Sequence, residues 1–275
     1  YTQTPGVAHL VGYAKYPSKD NYGFYYREDF EGIEGIEKAY NDKLKGKNGV
    51  RIVEINALGK VQSQNVLTLP KDGENVLLSI DSSLNNKLYE TMENFSKKYG
   101  FIGGTAVIMD VNSGELLAMT SYPEYNSQIL AEGDDSDKIN NYINSKNKPF
   151  LNRVIQGAYT PGSIIKPVMA IGVLNEKIID PNKKILSTGS ISLPNPYDST
   201  KFSIFKDWKA LGWVDLREAI AFSSDVYFYT VGGGFGDQKG IGISNIEKYS
   251  KLFGFGEKTN INLQGEINRS IPTPE

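Results

Sequence analysis

A chain of 275 residues is long enough for one large core or for a main domain with a smaller companion, and two units are expected. Its 30 Lys and Arg are interspersed with 32 Asp and Glu for a net charge of -2, which argues against an electrostatic nucleic-acid footprint and makes nucleic acid an unexpected partner. With 0 Cys and a single His, His9, disulfide frameworks, thiolate metal sites, cysteine nucleophiles and multi-histidine clusters are excluded; the lack of Cys also suits an oxidising exterior.

No run of about 18 apolar residues and no signal-peptide pattern occurs, so the chain as given reads as soluble. It starts without Met and stops at Ile271-Pro272-Thr273-Pro274-Glu275, and is expected to be a fragment whose anchor lies elsewhere.

Residues 1–75 are rich in Gly, Tyr and charge, with strands expected over 49–58 and 61–69, so they read as a small β-rich module. Pro70-Lys71-Asp72-Gly73 is turn chemistry and marks the expected boundary. Residues 76–275 form the second expected domain. It opens with a strand over Asn75–Ile80 and a helix from about Ser83, whose Leu84, Leu88, Met92, Phe95 and Tyr99 fall at helical spacing and are expected to pack on a sheet. Strands over 104–111 and 115–121 are split by Asn112-Ser113-Gly114, a hairpin turn, and helix followed by hairpin argues for an α+β fold. Residues 131–149 are polar and read as an exposed loop. Asp215 and Ser244 each stand three before a Glu, the capping-box signature of two late helices.

A serine activated by lysine needs both side chains on one helical face, which a spacing of three supplies. Three pairs have it: Ser145/Lys148, Ser163/Lys166 and Ser203/Lys206. The first lies in the polar stretch without helical periodicity. The third lies where Phe202 and Ile204 alternate as in a strand, which would put Ser203 and Lys206 on opposite faces. Ser163 alone follows a turn, Tyr159-Thr160-Pro161-Gly162, and precedes an apolar helix through Val168, Ile171, Gly172 and Leu174. A helix start favours the negative charge that acyl transfer develops, and Pro167, lacking an N–H, predicts a distorted first turn. A capping Ser beside a surface Lys is the alternative reading of this motif alone. For Lys166 to act as base it must be neutral, which at an ordinary lysine pKa costs roughly 4.6 kcal/mol at pH 7, so burial and neighbours are expected to ease its deprotonation. Farther on, Ser223-Ser224-Asp225 stands between a capped helix and an aromatic run. It reads either as a helix cap or as polar groups that relay a proton from Lys166 to a leaving amine.

Together, Asn152-Arg153, Tyr159 to Pro167, Asp207-Trp208-Lys209, Gly212 to Leu216, Ala219-Ile220, Ser223 to Tyr229 and Lys251 to Gly256 resemble the class B penicillin-binding proteins, elongation-type penicillin-binding protein 2 above all. Gly32 to Gly59 resembles that family's amino-terminal pedestal. The resemblance implies an incomplete α+β transpeptidase domain of the penicillin-binding and serine β-lactamase kind behind a pedestal module. It implies that Ser163 attacks the D-Ala-D-Ala end of a peptidoglycan stem peptide and passes the acyl group to a neighbouring stem, and that β-lactams acylate the same serine. Lys166 becomes the base, Ser223 the second-motif hydroxyl, and Asp225 stands where many relatives have Asn. A membrane glycosyltransferase of the elongation machinery is the implied partner, in cell-wall synthesis that sets cell shape. The implied location is the outer face of the cytoplasmic membrane in a bacterial envelope.

The family's third motif, Lys-[Ser/Thr]-Gly, is expected beyond residue 275, because Lys258-Thr259-Asn260 has Asn for Gly and follows Ser224 too soon. The chain by itself is therefore expected to be inactive or nearly so. Some relatives hold zinc with Asp, His and Cys; lacking Cys, this chain is expected to hold no metal and no cofactor. The alternatives are a serine β-lactamase or penicillin sensor, and a docking module with a degenerate serine site.

Overall fold

The computed structural model describes every residue except Thr2, Gln3, Tyr22, Phe24, Pro196, Arg269 and Glu275, and leaves the side chains of Tyr26 and Ser199 undescribed. Backbone contacts divide the chain into two compact units, Tyr1–Gly157 with Asn260–Ile267, and Ala158–Thr259 with Asn268–Glu275. This grouping by contact differs from the sequence division at residue 75 because the segment after that residue folds with the amino-terminal segment. Among the described residues no helix is long and apolar enough to cross a membrane.

The first unit contains helices α1 (Ala8–Val11), α2 (Gly35–Ala39), α3 (Asn41–Leu44), α4 (Ser82–Tyr99), α5 (Ser127–Glu132) and α6 (Ser136–Asn144). Its strands are β1 (Tyr13–Lys15), β2 (Ser18–Lys19), β3 (Tyr25–Arg27), β4 (Glu31–Glu34), β5 (Val50–Ile55), β6 (Val61–Thr68), β7 (Gly104–Met109) and β8 (Leu116–Tyr122), paired antiparallel as β1-β4, β2-β3, β5-β6 and β7-β8. The β5-β6 hairpin matches the expected strands and is exposed along its length. Asn56 closes its turn, accepting from the amides of Leu58 and Lys60.

Asp81 caps α4 through the Leu84 amide, and Gly100 ends it at φ 75, a left-handed position that suits glycine. The helix is where periodicity predicts it, but the face turned inward is different. Asn85 and Ser96 are buried, whereas Leu84, Phe95 and Tyr99 are exposed. Asn85 decides this orientation, because its amide donates to Gly6 O and its Oδ1 accepts from Met119 N on β8, so the polar side chain satisfies backbone groups in the core. The strand expected over Asn75–Ile80 does not form. The segment stays extended beside β8, tied by Ser79 Oγ to Leu116 O and Asp81 N to Leu117 O rather than by a ladder, with Leu78 and Ile80 inward.

Within 131–149 the exposed loop is replaced in part by α6, capped by Asp135 on the Lys138 amide. Ile139 and Tyr142, three apart, pack against the cluster of Ala8, Tyr125 and Leu130, an amphipathic signal hidden by the surrounding Asn and Lys. Ser145 ends this helix and Lys148 has φ 47, so that Ser/Lys pair occupies a turn.

The second unit contains α7 (Lys166–Asn175), β9 (Ile185–Ser187), β10 (Ser190–Asn195), β11 (Asp198–Lys206), β12 (Gly212–Val214), α8 (Leu216–Ala221), α9 (Asp225–Gly233) and α10 (Ile243–Leu252). Strands β10-β11 and β12-β9 form antiparallel pairs. Its core gathers Val168, Val173, Val214, Leu216, Ala219, Tyr227, Phe228, Val231, Ile241 and Tyr249, so α7, α8, α9 and α10 share one apolar interior. The capping box at Asp215 and Glu218 forms in full. The one expected at Ser244 does not, because α10 starts two residues earlier behind Gly242, whose φ of 76 makes the turn into the helix.

Candidate active site

Ser163 sits on a single 3₁₀ turn, Gly162–Ile165, that runs directly into α7. The Lys166 amide donates to Ser163 O, closing the tight turn. Pro167 has no N–H to offer that carbonyl the wider α-helical bond, so the expected distortion takes the form of a 3₁₀ start. Gly162 turns the chain into it at φ 61. Ser163 is exposed and Lys166 is buried, with only 8% of its side chain accessible. Ile171 and Leu174 stay on the outer face of α7 while Val168 and Gly172 pack inward.

Lys166 Nζ reaches across to the segment between α8 and α9. It donates to Ser223 O at 2.7 Å, Ser223 Oγ at 3.0 Å and Asp225 Oδ1 at 2.6 Å, and lies 5.7 Å from the centre of the Phe228 ring. Three acceptors, one of them a carboxylate, thus surround the nitrogen at hydrogen-bond distance. Among the described residues no hydrogen bond joins Ser163 to Lys166.

The geometry thus brings Lys166, Ser223 and Asp225 together, 57 and 59 residues apart in sequence, with Ser163 three residues before Lys166 on the adjoining turn. Ser224 is the cap of α9, accepting from Tyr227 N, while Ser223 and Asp225 face the lysine. The third pair is set apart, because Ser203 and Lys206 lie on β11, a strand.

Sequence reasoning missed the support beneath this cluster. Asp207, the residue after β11, accepts through Oδ2 from Ser187 Oγ at 3.2 Å, Ser224 Oγ at 2.9 Å and Val226 N at 3.0 Å, and through Oδ1 from Trp208 N at 2.9 Å. Burial pushes its carboxyl up, but the amides of Val226 and Asp225, the Ser224 hydroxyl and the Trp208 amide outweigh burial and hold it below the ordinary carboxylate range. Trp208 Nε1 in turn donates to Phe222 O at 3.0 Å. The only sequence signal was an Asp-Trp pair closing a strand, which names no partner. Among the described residues no group of three His, Cys, Asp or Glu could hold a metal ion.

Comparison with known proteins follows the same lines. Residues 104–275 match the profile of the penicillin binding protein transpeptidase domain, and residues 1–78 that of the penicillin-binding protein dimerisation domain. Peptidoglycan D,D-transpeptidase MrdA of Haemophilus influenzae is 34% identical over 98% of this chain and 40% of its own length, and that of Acinetobacter baumannii 32% identical over 98% and 38%. The chain thus spans well under half the length of these relatives. Among solved structures, the complex of penicillin-binding protein PBP2 with MreC from Helicobacter pylori aligns at 32% identity and a TM-score of 0.75, over 99% of this chain and 49% of that one. Pseudomonas aeruginosa PBP2 in complex with WCK 5153 aligns at 28% identity and 0.69, over 97% and 52%. The chain belongs to the penicillin-binding protein transpeptidases, in the class B group that includes penicillin-binding protein 2.

Proposed function

We propose that this chain carries the acyl-transfer site of a peptidoglycan D,D-transpeptidase, with Ser163 as nucleophile, Lys166 as its base, and Ser223 and Asp225 as the groups that hold and relay the proton. The observation that carries the reading is the buried Lys166 side chain, bonded at once to the carbonyl and hydroxyl of Ser223 and to Asp225. A surface lysine beside a capping serine would make no such contacts.

In this mechanism Lys166 in its neutral form takes the Ser163 hydroxyl proton as the oxygen attacks the carbonyl of the penultimate D-Ala. The tetrahedral intermediate collapses with cleavage of the amide bond, and the departing D-Ala nitrogen receives a proton through Ser223 Oγ, which is hydrogen-bonded to Lys166. An amine from a neighbouring stem then attacks the ester, loses its proton by the same route and regenerates the serine. A β-lactam enters the same sequence as a strained amide and stops at the ester.

Residues 1–75 serve as the pedestal and residues 76–275 belong to the transpeptidase domain, a division supported by the two family matches. Stem peptides and β-lactams are the ligands. The protein partner is a membrane glycosyltransferase of the elongation machinery, a reading supported by the solved relatives in complex with MreC and in a peptidoglycan synthase complex. The setting is the outer face of the cytoplasmic membrane.

The test is intact mass after incubation of the full-length protein with a β-lactam, with Ser163→Ala and Ser203→Ala variants alongside. A stable adduct lost only in Ser163→Ala is expected. Rapid turnover of the drug would favour a β-lactamase, and no adduct on any version would favour a docking module.

A further inference from the structure

Ser223 is one of four non-glycine residues with positive φ among the described residues, at φ 54. A left-handed backbone at such a residue costs on the order of 1 kcal/mol or more and persists only where its surroundings impose it. Here it has a use. It turns both the carbonyl and the hydroxyl of one residue toward a single nitrogen, at 2.7 and 3.0 Å from Lys166 Nζ. A right-handed conformation would swing one of the two away.

The left-handed turn closes α8, with Ser223 N donating to Ile220 O and Ser224 N to Ala219 O, and its far side is held by the residues that follow. The hydroxyl of Ser224 and the amide of Val226 both converge on Asp207 Oδ2. Ser187 Oγ, at the end of β9, steadies the same oxygen. The Val226 amide in the first turn of α9 is therefore satisfied by a carboxylate from the residue that follows β11, and the position of that turn is set from outside the helix. Ser224 is wholly buried, so it cannot exchange this partner for water.

We infer that Asp207 is a positioning residue for acyl transfer: by clasping Ser224 and Val226 it fixes the turn that closes α8, so that the carbonyl and hydroxyl of Ser223 stay on Lys166. Asp207 acts through Ser223 and touches neither Lys166 nor the reacting atoms. The inference rests on the proposed acyl-transfer reading, in which Lys166 is the base.

The test uses the full-length protein, a fluorescent penicillin as probe, and the variants Asp207→Asn and Ser224→Ala. Asp207→Asn keeps the volume but removes the charge and lets only one side-chain atom accept, so the three donors on Oδ2 and the Trp208 amide on Oδ1 cannot all keep a partner. The acylation rate constant should fall roughly ten- to hundredfold, as expected for slight misplacement of a catalytic group. The non-covalent affinity should stay within about threefold and the fraction finally labelled should match wild type. Ser224→Ala removes one strand of the clasp and should lose roughly three- to tenfold in the same constant; it decides the matter if Asp207→Asn fails to fold. A purely structural role would instead lower the labelled fraction and leave the rate constant of the labelled molecules unchanged, and that result overturns the inference. If wild type itself takes no label, the acyl-transfer reading fails and the inference with it; if wild type labels and both variants match its rate constant, the inference alone fails.

Discussion

Replacing His9 with Phe should uncover a pH dependence of stability that the native chain conceals. His9 on α1 is 3% exposed, edge-on to Tyr125 at 5.0 Å. Burial, and secondarily the charge of Arg153, pull its pKa from 6.5 down to about 4, against the pull of the Pro123 and Pro149 carbonyls. A histidine with a depressed folded pKa contributes stability that is full above 6.5 and is lost as pH falls toward 4, because the unfolded chain binds the proton first. In the same unit, burial pushes Glu124 up from 4.5 to about 7 although the amides of Gly6 and Ala8 bond to it. That carboxyl has the opposite sign, its contribution being full below 4.5 and lost as pH rises through 7. At about 1.4 kcal/mol per tenfold change in proton affinity, each effect is on the order of 3 kcal/mol, somewhat less for the partly accessible Glu124. Between pH 4.5 and 6.5 the two slopes oppose one another and the native protein should be nearly flat. In His9→Phe only the Glu124 slope remains, so stability should fall by roughly 2–3 kcal/mol over that window as pH rises. Amide exchange in the segments 5–15 and 118–126, corrected for intrinsic rates, reports this locally. The comparison is between slopes, so any uniform packing cost of Phe drops out. Equal slopes in the two proteins would refute the reasoning.

Two further outcomes follow from the second unit. Lys166→Ala should cut β-lactam acylation roughly a thousandfold or more, whereas Asp225→Asn, which keeps an oxygen for Lys166, should stay within about tenfold of wild type; the two rate constants, measured on the full-length protein, separate the base from its holder. Tyr227 is wholly buried and its hydroxyl has no hydrogen-bond partner among the described residues, so Tyr227→Phe should raise stability by roughly 1 kcal/mol, read from urea unfolding, and a loss of that size would reveal a partner.

What could be read from the residues was whatever is local in the chain. The Ser163 turn with Pro167 behind it, the Asp215 capping box and the two hairpins are each set by neighbours within a few positions, through the φ restriction of Pro and Gly or a side chain reaching its own backbone. Where a local signal was weak, as in α6 with its two apolar residues among Asn and Lys, or where a polar side chain made the inner contact, as Asn85 does in α4, periodicity chose the wrong state or the wrong face. The sequence by itself singled out Ser163, Lys166, Ser223 and Asp225 as residue types at suggestive spacings. Tertiary structure decided that Lys166 meets Ser223 and Asp225, and that Asp207 stands behind them, since these contacts join residues 17 to 59 positions apart and depend on how α7, α9 and β11 pack around a shared core.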